Sequence, residues 1–451
     1  LNFEIITTQL PWWFYAGWLL AGSLFPVLAA FFPVRHWSGV PVRDALDNYG
    51  VAQNATRDSL IENMRLPLPR NFRLGLSNGL RNPKRFALGV GALSVGTLAF
   101  MVTMNLKSSL LNTASIQDST VLYDVQVAFE DNVKWEQINW ITKFPFVTNL
   151  ELWPTTGVTP RGLSAKGERT YSLIAVPDDT QALLPNIIKG HWISPSDPKG
   201  IVVSHRFMLQ NPELNVGDSM TLEIGNRTID FTIRGINKQF SPPLMYLTLS
   251  SYLEITGTSQ DIGRRAMITL KEGFKFSTPA RFMPLLEQHF DQSKEINVSM
   301  MQSSKMASMM IRNHLDIIVY LLAIMAALML FVSALGMASG VSSSVIERTR
   351  ELGVLRAIGA TPATLIKILS AESLSIALFA WLLSLAIATP ISRAISDYFG
   401  TGFVKYPFDY LTSSEGIWLS LVVVVILTLL ATAGPARMST RQEVGTAVNY
   451  E

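Results

Sequence analysis

Residues 317–339 read IIVYLLAIMAALMLFVSALGMAS, a run without a charged side chain. About twenty apolar residues in a helix cross the hydrocarbon core of a bilayer. Four more stretches have the same character: Trp12–Phe32, Arg85–Leu106, Leu369–Ile391 and Gly416–Ala433. A buried helix of a soluble protein accounts for one such run but not for five. The sequence therefore predicts an integral membrane α-helical protein with five spans.

The composition of the 451 residues agrees with this class. Charged residues make up 16% of the chain and hydrophobic residues 48%, whereas soluble domains have roughly 25% charged residues. The net charge of +3 is small, and no basic stretch alternates with aromatic residues, so we expect no nucleic-acid partner. The chain has no cysteine, which excludes disulfides and thiolate metal sites.

The distribution of lysine and arginine predicts the orientation of the spans. These residues concentrate in some of the short connections, and positive charge in short loops marks the cytoplasmic side. The segments predicted to be cytoplasmic are 33–84, 340–368 and the C-terminus. Residues 392–415, with only Arg393 and Lys405, and the long segment 107–316 are then outside.

Residues 107–316 are numerous enough to form a domain with its own core, and we predict an extracytoplasmic α+β domain inserted between spans two and three. Ser219–Ile233 alternates apolar and polar residues around a Gly225-Asn226 turn, which predicts a β-hairpin. Leu244–Leu249 is a further candidate strand. Two helices are expected, at Arg281–Phe290 and at Met300–His314, and the second would be a stalk that leads into the third span.

A cytoplasmic amphipathic helix is predicted before the second span. In Asn71–Arg81 the apolar residues recur at helical spacing, so this helix would lie along the inner leaflet in contact with membrane lipid. Asn82 is a candidate cap for the second span, with Pro83 at its first position. An ordinary anchoring role accounts for everything that this segment needs to do.

The connection between the third and fourth spans, residues 342–362, reads SSSVIERTRELGVLRAIGATP. Its charges at Glu347, Arg350 and Glu351 fall three and four residues apart and share a helical face. The residues predicted to cover another face are Leu352, Leu355 and Ile358. The pattern fits a short charged helix, either a solvated connector or a docking helix for a cytoplasmic partner, whose charges would set register and specificity.

Small and capping residues punctuate the same segment. Gly353 and Gly359 remove side chains where another surface could approach closely. Thr361 is a candidate cap for the next helix, with Pro362 at its start.

Several classes of chemistry find no support in the sequence. No Gly-Lys pair occurs, so there is no Walker A loop. The five histidines show no metal-ligand spacing, so no metal site is expected. The interiors of the spans have no Asp, Glu, Lys or Arg except Glu372, near a helix start, where an interfacial position is favoured over a proton path. This argues against ion-coupled transport, and an intramembrane enzyme lacks any catalytic constellation.

The segment ERTRELGVLRAIGATP, residues 347–362, closely resembles the signature of FtsX/MacB-type ABC transporter permeases. The resemblance implies that this is the helix that couples the permease to its ATPase. The matching residues are Glu347, Arg350, Glu351, Gly353, Arg356 and Gly359. The resemblance extends over residues 71–451. Further matching stretches are Gly190–Trp192, Val202–Ser204 and Val216–Asp218.

A weak internal repeat suggests the two-unit variety of this family. Pro33-Val34-Arg35 after the first span and Pro435-Ala436-Arg437 after the last have similar continuations at equal spacing. We therefore expect most of an earlier permease unit to lie upstream. The predicted organisation is 1–34, the last span of that unit; 35–84, a cytoplasmic linker and amphipathic helix; 85–106, a span; 107–316, the outer domain with its stalk; 317–434, three spans with a coupling helix near 342–360; and 435–451, a cytoplasmic tail.

The resemblance implies a non-enzymatic subunit of a bacterial inner-membrane transporter. It would work with a cytoplasmic ABC ATPase dimer that holds the ATP and Mg, and this chain itself would hold no cofactor. ATP hydrolysis would move the outer domain to extract, export or handle a lipid, lipoprotein, peptide or hydrophobic compound. The alternative is a regulator that activates an extracytoplasmic enzyme such as a cell-wall hydrolase, and an extracytoplasmic protein partner is possible in either case.

Overall fold

The computed structural model describes residues 11–38, 77, 79, 83–162, 169–225, 227–239, 241–274, 278–293, 295–404 and 406–441. The chain separates into two compact units, Leu1–Pro67 and Leu68–Glu451. In the first unit, helix α1 (Trp12–Ser38) contains the predicted span Trp12–Phe32.

The second unit combines long helices with strands. Its helices are α2 (Pro83–Thr120), α3 (Trp135–Ile138), α4 (His205–Gln210), α5 (Leu249–Thr256), α6 (Thr278–Ser293), α7 (Ser304–Glu347), α8 (Thr349–Ala357), α9 (Pro362–Phe399) and α10 (Ser414–Arg441). Its strands are β1 (Val125–Lys134), β2 (Val147–Trp153), β3 (Thr155–Pro160), β4 (Tyr171–Val176), β5 (Ile187–Gly190), β6 (Gly200–Ser204), β7 (Ser219–Ile224), β8 (Arg227–Asn237), β9 (Leu244–Thr248), β10 (Ile262–Leu270) and β11 (Val298–Ser303).

Four helices among the described residues, α2, α7, α9 and α10, are long and apolar enough to cross a membrane. They contain four of the five predicted spans, and the crossing of a membrane by α1 stays a prediction. Helix α7 has 44 residues, which corresponds to about 66 Å at 1.5 Å per residue. It is therefore about twice as long as the ~30 Å hydrocarbon core, so it continues well beyond the bilayer.

Small and polar residues set the packing of these helices. A side chain at Gly96 of α2 would lie 2.6 Å from the Ser333 hydroxyl of α7, so the two helices cross closely there. The Ser384 hydroxyl of α9 donates to the Ser94 carbonyl at 3.0 Å. Close approach of small residues and interhelical hydrogen bonds are the usual basis of helix packing in membranes.

The domain inserted between α2 and α7 contains a four-stranded antiparallel sheet in the order β11-β1-β10-β2. Helix α6 packs its apolar face on this sheet through Phe282, Leu286 and Phe290, all fully buried. Strand β11 leads directly into α7, so this sheet is covalently continuous with a membrane helix.

The second sheet of the inserted domain has the order β5-β8-β6-β9-β4-β3-β7. Strand β7 also pairs with β8, so the sheet closes on itself into a barrel with β5 on its rim. Phe207 and Phe231 are among the side chains that fill the interior. The two sheets share a third cluster, in which Trp153 and Met267 meet Ile174.

Local predictions for this domain can be compared directly with the structure. The hairpin over Ser219–Ile233 is confirmed as β7–β8, with Gly225 at a positive φ of 59° in the turn. The strand at Leu244–Leu249 and the helix at Arg281–Phe290 are confirmed by β9 and α6. The helix predicted over Met300–His314 is wrong at its start, because Met300–Ser303 pairs with β1 and α7 begins at Ser304.

The end of the last helix also differs from the predicted boundary. The fifth span was expected to stop at Ala433, with a tail from residue 435, but α10 continues to Arg441. Pro435 lies inside it, and Ala436 is fully buried. Ala436 packs against residues of α7, α8 and α9.

Candidate functional site

The segment singled out by the sequence forms the bend between α7 and α9. Residues 342–347 belong to α7, so the short helix α8 comprises only Thr349–Ala357 of the predicted range 342–360. Arg348 breaks the helix with φ −106° and ψ 18°. The Thr349 hydroxyl donates to the carbonyls of Val345 (3.1 Å) and Ile346 (2.8 Å). Hydrogen bonding therefore continues across the bend and joins α8 to the end of α7.

Arg348 links α8 to α9. Its Nε donates to Glu351 Oε2 at 2.8 Å and its Nη1 to Glu372 Oε2 at 3.2 Å. The side chains of Arg348 and Glu372 are only 18% and 15% exposed. Neither residue was among the predicted site residues. The available signal was Glu372 itself, because a carboxylate within an apolar span requires a partner.

A second ion pair connects the end of α7 to the start of α2. Arg85 Nη1 donates to Glu347 Oε2 at 2.8 Å, and Arg85 Nη2 donates to the Gly340 carbonyl at 2.6 Å. Both side chains are substantially exposed to solvent. Such pairs contribute about 0–1 kcal/mol to stability, so this pair orients the helix ends more than it stabilises them.

An apolar cluster lies under α8. Leu352 is buried against Val345 of α7, two leucines of α9 and Ala436 of α10, with Leu355 packed at its edge. Ile358 was also predicted to cover this face, but it is 77% exposed. It lies beyond the last residue of α8, at the C-cap. Val354 and Ile358, four residues apart, leave an apolar surface open on the outer side.

The glycines of this segment have a conformational role that the sequence interpretation missed. Gly359 has a φ of +103°, and nothing lies within 4 Å of the position of its missing side chain. The Ala360 N–H donates to the Leu355 carbonyl and the Gly359 N–H to the Arg356 carbonyl. This pair of bonds is a Schellman motif, which ends a helix with a glycine in a left-handed conformation. Gly353 is buried within α8.

The other predicted site residues are distributed as follows. Arg350 lies within α8, and Arg356 is half-buried near its end. Thr361 is the N-cap of α9, where its hydroxyl accepts from the Thr364 N–H, and Pro362 is the first helical residue. Pro83 is the first residue of α2, and Asn82 lies outside the described residues. Of the predicted amphipathic helix Asn71–Arg81, only positions 77 and 79 are described, and both are helical.

A separate polar contact, not predicted from the sequence, joins the inserted domain to the loop between α9 and α10. Lys238, which follows β8, is buried and donates from Nζ to Asp409 Oδ1 at 2.6 Å. Its ammonium group also lies 5.2 Å from the centre of the Tyr406 ring. Burial, and then the charge of Lys238, lower the pKa of the nearby His205 imidazole.

The same loop is fixed to α2 by hydrogen bonds. The backbone N–H of Asp409 donates to the Thr113 hydroxyl at 2.8 Å, and Asn112 Nδ2 donates to the Asp409 carbonyl at 3.3 Å. The Ser413 N–H donates to Asn105 Oδ1 at 2.9 Å. The inserted domain therefore contacts the membrane helices through α2, α7 and this loop. Within the described part of the chain, no three histidine, aspartate or glutamate side chains cluster as metal ligands would.

Comparison with known proteins identifies the helical part of the chain. Residues 323–444, which include α8, match the family of the FtsX-like permease C-terminal domain. The ABC transporter permease YtrF of Bacillus subtilis (strain 168) is 29% identical over 133 residues. That alignment covers 27% of this chain and 30% of YtrF, so the chain spans about a third of the length of this relative.

Two solved structures show low similarity to part of this chain. The periplasmic region of MacB from Actinobacillus actinomycetemcomitans is 11% identical, with a TM-score of 0.30, and covers 43% of this chain and 94% of its own. The extracellular domain of the noncanonic ABC-type transporter YknZ from Gram-positive bacteria is 13% identical, with a TM-score of 0.27. That match covers 40% of this chain and 99% of the YknZ domain.

The four long apolar helices and the permease match together make this a multi-pass membrane protein. The matched region contains the bend at Arg348, helix α8 and the left-handed Gly359. Over residues 323–444 the chain is similar to FtsX-like permeases, and over 133 residues it is similar to a curated ABC transporter permease.

Proposed function

We propose that this chain is the permease subunit that transmits ATP-driven motion from a cytoplasmic ABC ATPase dimer to its inserted domain. The observation that carries the proposal is the continuity of α7. This single helix runs from Ser304, where it leaves the four-stranded sheet, to Glu347, where it meets α8. A displacement of α8 would therefore be passed to the inserted domain without an intervening loop. Helix shifts and rigid-body rotations are ordinary ways to transmit such changes.

Helix α8 has the features of a docking element in this proposal. Its inner face is held by Leu352 and by the link from Arg348 to Glu372. Its outer face presents Val354 and Ile358 to solvent, and these residues would enter the ATPase surface. The charges at Glu347, Arg350, Glu351 and Arg356 would set the register of docking, since charges at an interface contribute specificity more than affinity.

The remaining organisation follows from the same proposal. The inserted domain would lie outside a bacterial inner membrane, α1 would be the last span of a preceding permease unit, and ATP and Mg would be held by the ATPase. The substrate would be a lipid, lipoprotein, peptide or hydrophobic compound handled at or outside the bilayer. A role in activating an extracytoplasmic enzyme would use the same helix and differs only in the outer partner.

The proposal is tested by purifying the full-length protein from its native cell in mild detergent. We expect a nucleotide-binding protein and ATP hydrolysis to accompany the wild type and to be lost from Val354→Glu/Ile358→Glu. Leu184→Glu is the control, because Leu184 is also an exposed aliphatic residue but lies in the inserted domain. Absence of any ATPase from the wild-type preparation, or its retention by the double variant, would overturn the docking assignment.

A further inference from the structure

A groove of about 980 Å³ lies where the four-stranded sheet passes into α7. Its walls are α6, β11 and the first turns of α7, and five methionines line it: Met283, Met300, Met301, Met306 and Met309. Met300, Met306 and Met309 are each about half exposed. Because half-exposed methionines line a concave surface beside acidic side chains, the groove is a candidate binding site.

The floor of the groove is continuous with the core of the sheet. Phe290 and Ile296 line it from within that core, so the base of the groove is fixed in place. The methionines around this base are flexible and polarisable, and such side chains adapt to apolar partners of different shapes. The groove is therefore suited to a family of related apolar surfaces and not to one rigid small molecule.

The rim of the groove has a negative charge. Glu130, Glu287 and Asp291 line it with exposed carboxylates, and Lys305 is the basic residue that lines it within the described part of the chain. A ligand with an apolar face and basic groups complements both the methionines and the rim. Neutral or anionic apolar ligands match the floor but not the three carboxylates.

We propose that this groove binds a cationic amphipathic peptide segment. The apolar face of the segment would lie on the methionines, and its basic side chains would reach Glu130, Glu287 and Asp291. This is the helix-in-groove mode, in which an amphipathic helix places its apolar face in an apolar groove. The size of the groove is at the upper end of the range for small-molecule pockets, which leaves room for a short segment.

The position of the groove adds a consequence that rests on the proposed function. Met306 and Met309 are in the first two turns of α7, the helix that ends at Glu347. An occupant would therefore contact the helix that moves, and would respond to its displacement. Binding itself needs no ATPase, so failure of the binding test and failure of ATPase docking are distinguishable.

The test uses the full chain in nanodiscs of zwitterionic phosphatidylcholine, which has no net charge, with fluorescence anisotropy as the readout. The probe is a short labelled peptide of lysine and leucine at amphipathic helical spacing. The control is a peptide with the same leucines and with glutamate in place of each lysine. We expect saturable binding of the lysine peptide above the background of empty nanodiscs and much weaker binding of the glutamate peptide. Equal binding of both peptides would overturn the proposal in favour of an uncharged apolar occupant.

Two sets of variants locate the site. Glu287→Gln/Asp291→Asn should weaken binding of the lysine peptide about tenfold, which corresponds to ~1.4 kcal/mol. Glu213→Gln/Asp179→Asn removes the same charge from exposed carboxylates elsewhere on the domain and should leave binding unchanged. Met306→Gln/Met309→Gln should weaken the binding of both peptides. Equal losses in the first two variants, or no loss in the methionine variant, would place binding outside the groove.

Discussion

The two ends of α9 make different kinds of contact with the rest of the molecule. Near its start, Glu372 receives Arg348, which also binds Glu351 within α8. Beyond its end, Asp409 receives Lys238 from the inserted domain. Arg348 has two carboxylate partners at a partly solvated bend, whereas Lys238 has one and its side chain is only 4% exposed.

This difference bears on how the molecule can move. A displacement of α8 can exchange the partners of Arg348 or hydrate them without leaving an isolated buried charge. Separation of the inserted domain from the α9–α10 loop would break the contacts of the Lys238 ammonium group with Asp409 and the Tyr406 ring together. The contact at Lys238 is therefore a second attachment of the inserted domain, and in the proposed mechanism the motion transmitted by α7 would have to pivot there or break it.

The largest effect is expected from Asp409→Ala. The substitution leaves the buried ammonium group of Lys238 without its carboxylate, and breaking a buried pair costs about 3–5 kcal/mol. Thermal unfolding in detergent should show a lower midpoint. Hydrogen exchange should increase in the strand that precedes Lys238 and in residues 406–413.

The double variant Lys238→Met/Asp409→Leu removes both charges and should recover most of the stability, since apolar replacements of a buried pair are often tolerated. Arg161→Gln, which breaks the exposed pair between Arg161 and Glu223, is the surface control and should have little effect. An Asp409→Ala variant as stable as this control would show that the Lys238 contact is not an attachment.

A smaller effect is expected at the other end from Gly359→Ala. The φ of +103° at Gly359 is strained for any residue with a side chain, at a cost of about 1–3 kcal/mol. Its result should be faster hydrogen exchange in α8 together with weaker retention of the ATPase. Gly336→Ala in α7 is the matched control, because that position is helical and has open space around it. Equal behaviour of the two variants would contradict a role for the Schellman motif.

Much of the architecture was accessible from the sequence because its signals are local. The four long apolar helices of the second unit contain predicted spans, and the β7–β8 hairpin follows from alternation around Gly225. The start of α7 was misplaced, because Met300–Ser303 is extended only through pairing with β1, far away in the sequence. The closure of the second sheet also depends on such distant pairings.

In the candidate site, too, the features with local sequence signals were predicted, and those that depend on contacts between distant residues were not. The segment 342–362 was found from its charges, glycines and cap, all of which are near in sequence. The links from Arg348 to Glu372 and from Arg85 to Glu347 depend on how the helices pack. Ile358 was assigned to the buried face because helical periodicity was extended past the residue where α8 ends. Lys238 gave no sequence signal, because its partner Asp409 lies in another connection.

We expect the stability of the protein near neutral pH to depend on the protonation of His205, which lies near Lys238. Burial and the charge of Lys238 lower the pKa of His205 below its ordinary value of 6.5. The His205 imidazole therefore binds a proton more readily in the unfolded chain than in the folded protein. Stability consequently rises with pH between the lowered pKa of the folded protein and the ordinary value of the unfolded chain. The contribution is complete above about pH 6.5 and is lost as the pH falls toward the lowered pKa of the folded protein. The unfolding midpoint should therefore decrease on mild acidification.

His205→Asn should flatten this pH dependence of the unfolding midpoint, whereas His191→Asn, at an exposed histidine of the same domain, should retain it. An unchanged slope in His205→Asn would assign the pH dependence to other groups and remove His205 from the contact.

The smallest effect on stability is expected from Glu347→Gln. Its pair with Arg85 is exposed, and such pairs contribute about 0–1 kcal/mol, because water solvates both charges once they separate. The unfolding midpoint should shift little, and less still at high salt. The charge-swapped variant Arg85→Glu/Glu347→Arg should restore the ion pair, though not the bond from Arg85 to the Gly340 carbonyl, and its unfolding midpoint should be close to that of the wild type. A destabilisation by Glu347→Gln as large as that of Asp409→Ala would mean that both ends of the molecule are held by their charges. A small destabilisation by Glu347→Gln would indicate that α8 is held mainly by the apolar packing of Leu352. The ion pairs around α8 could then exchange partners at little cost in stability.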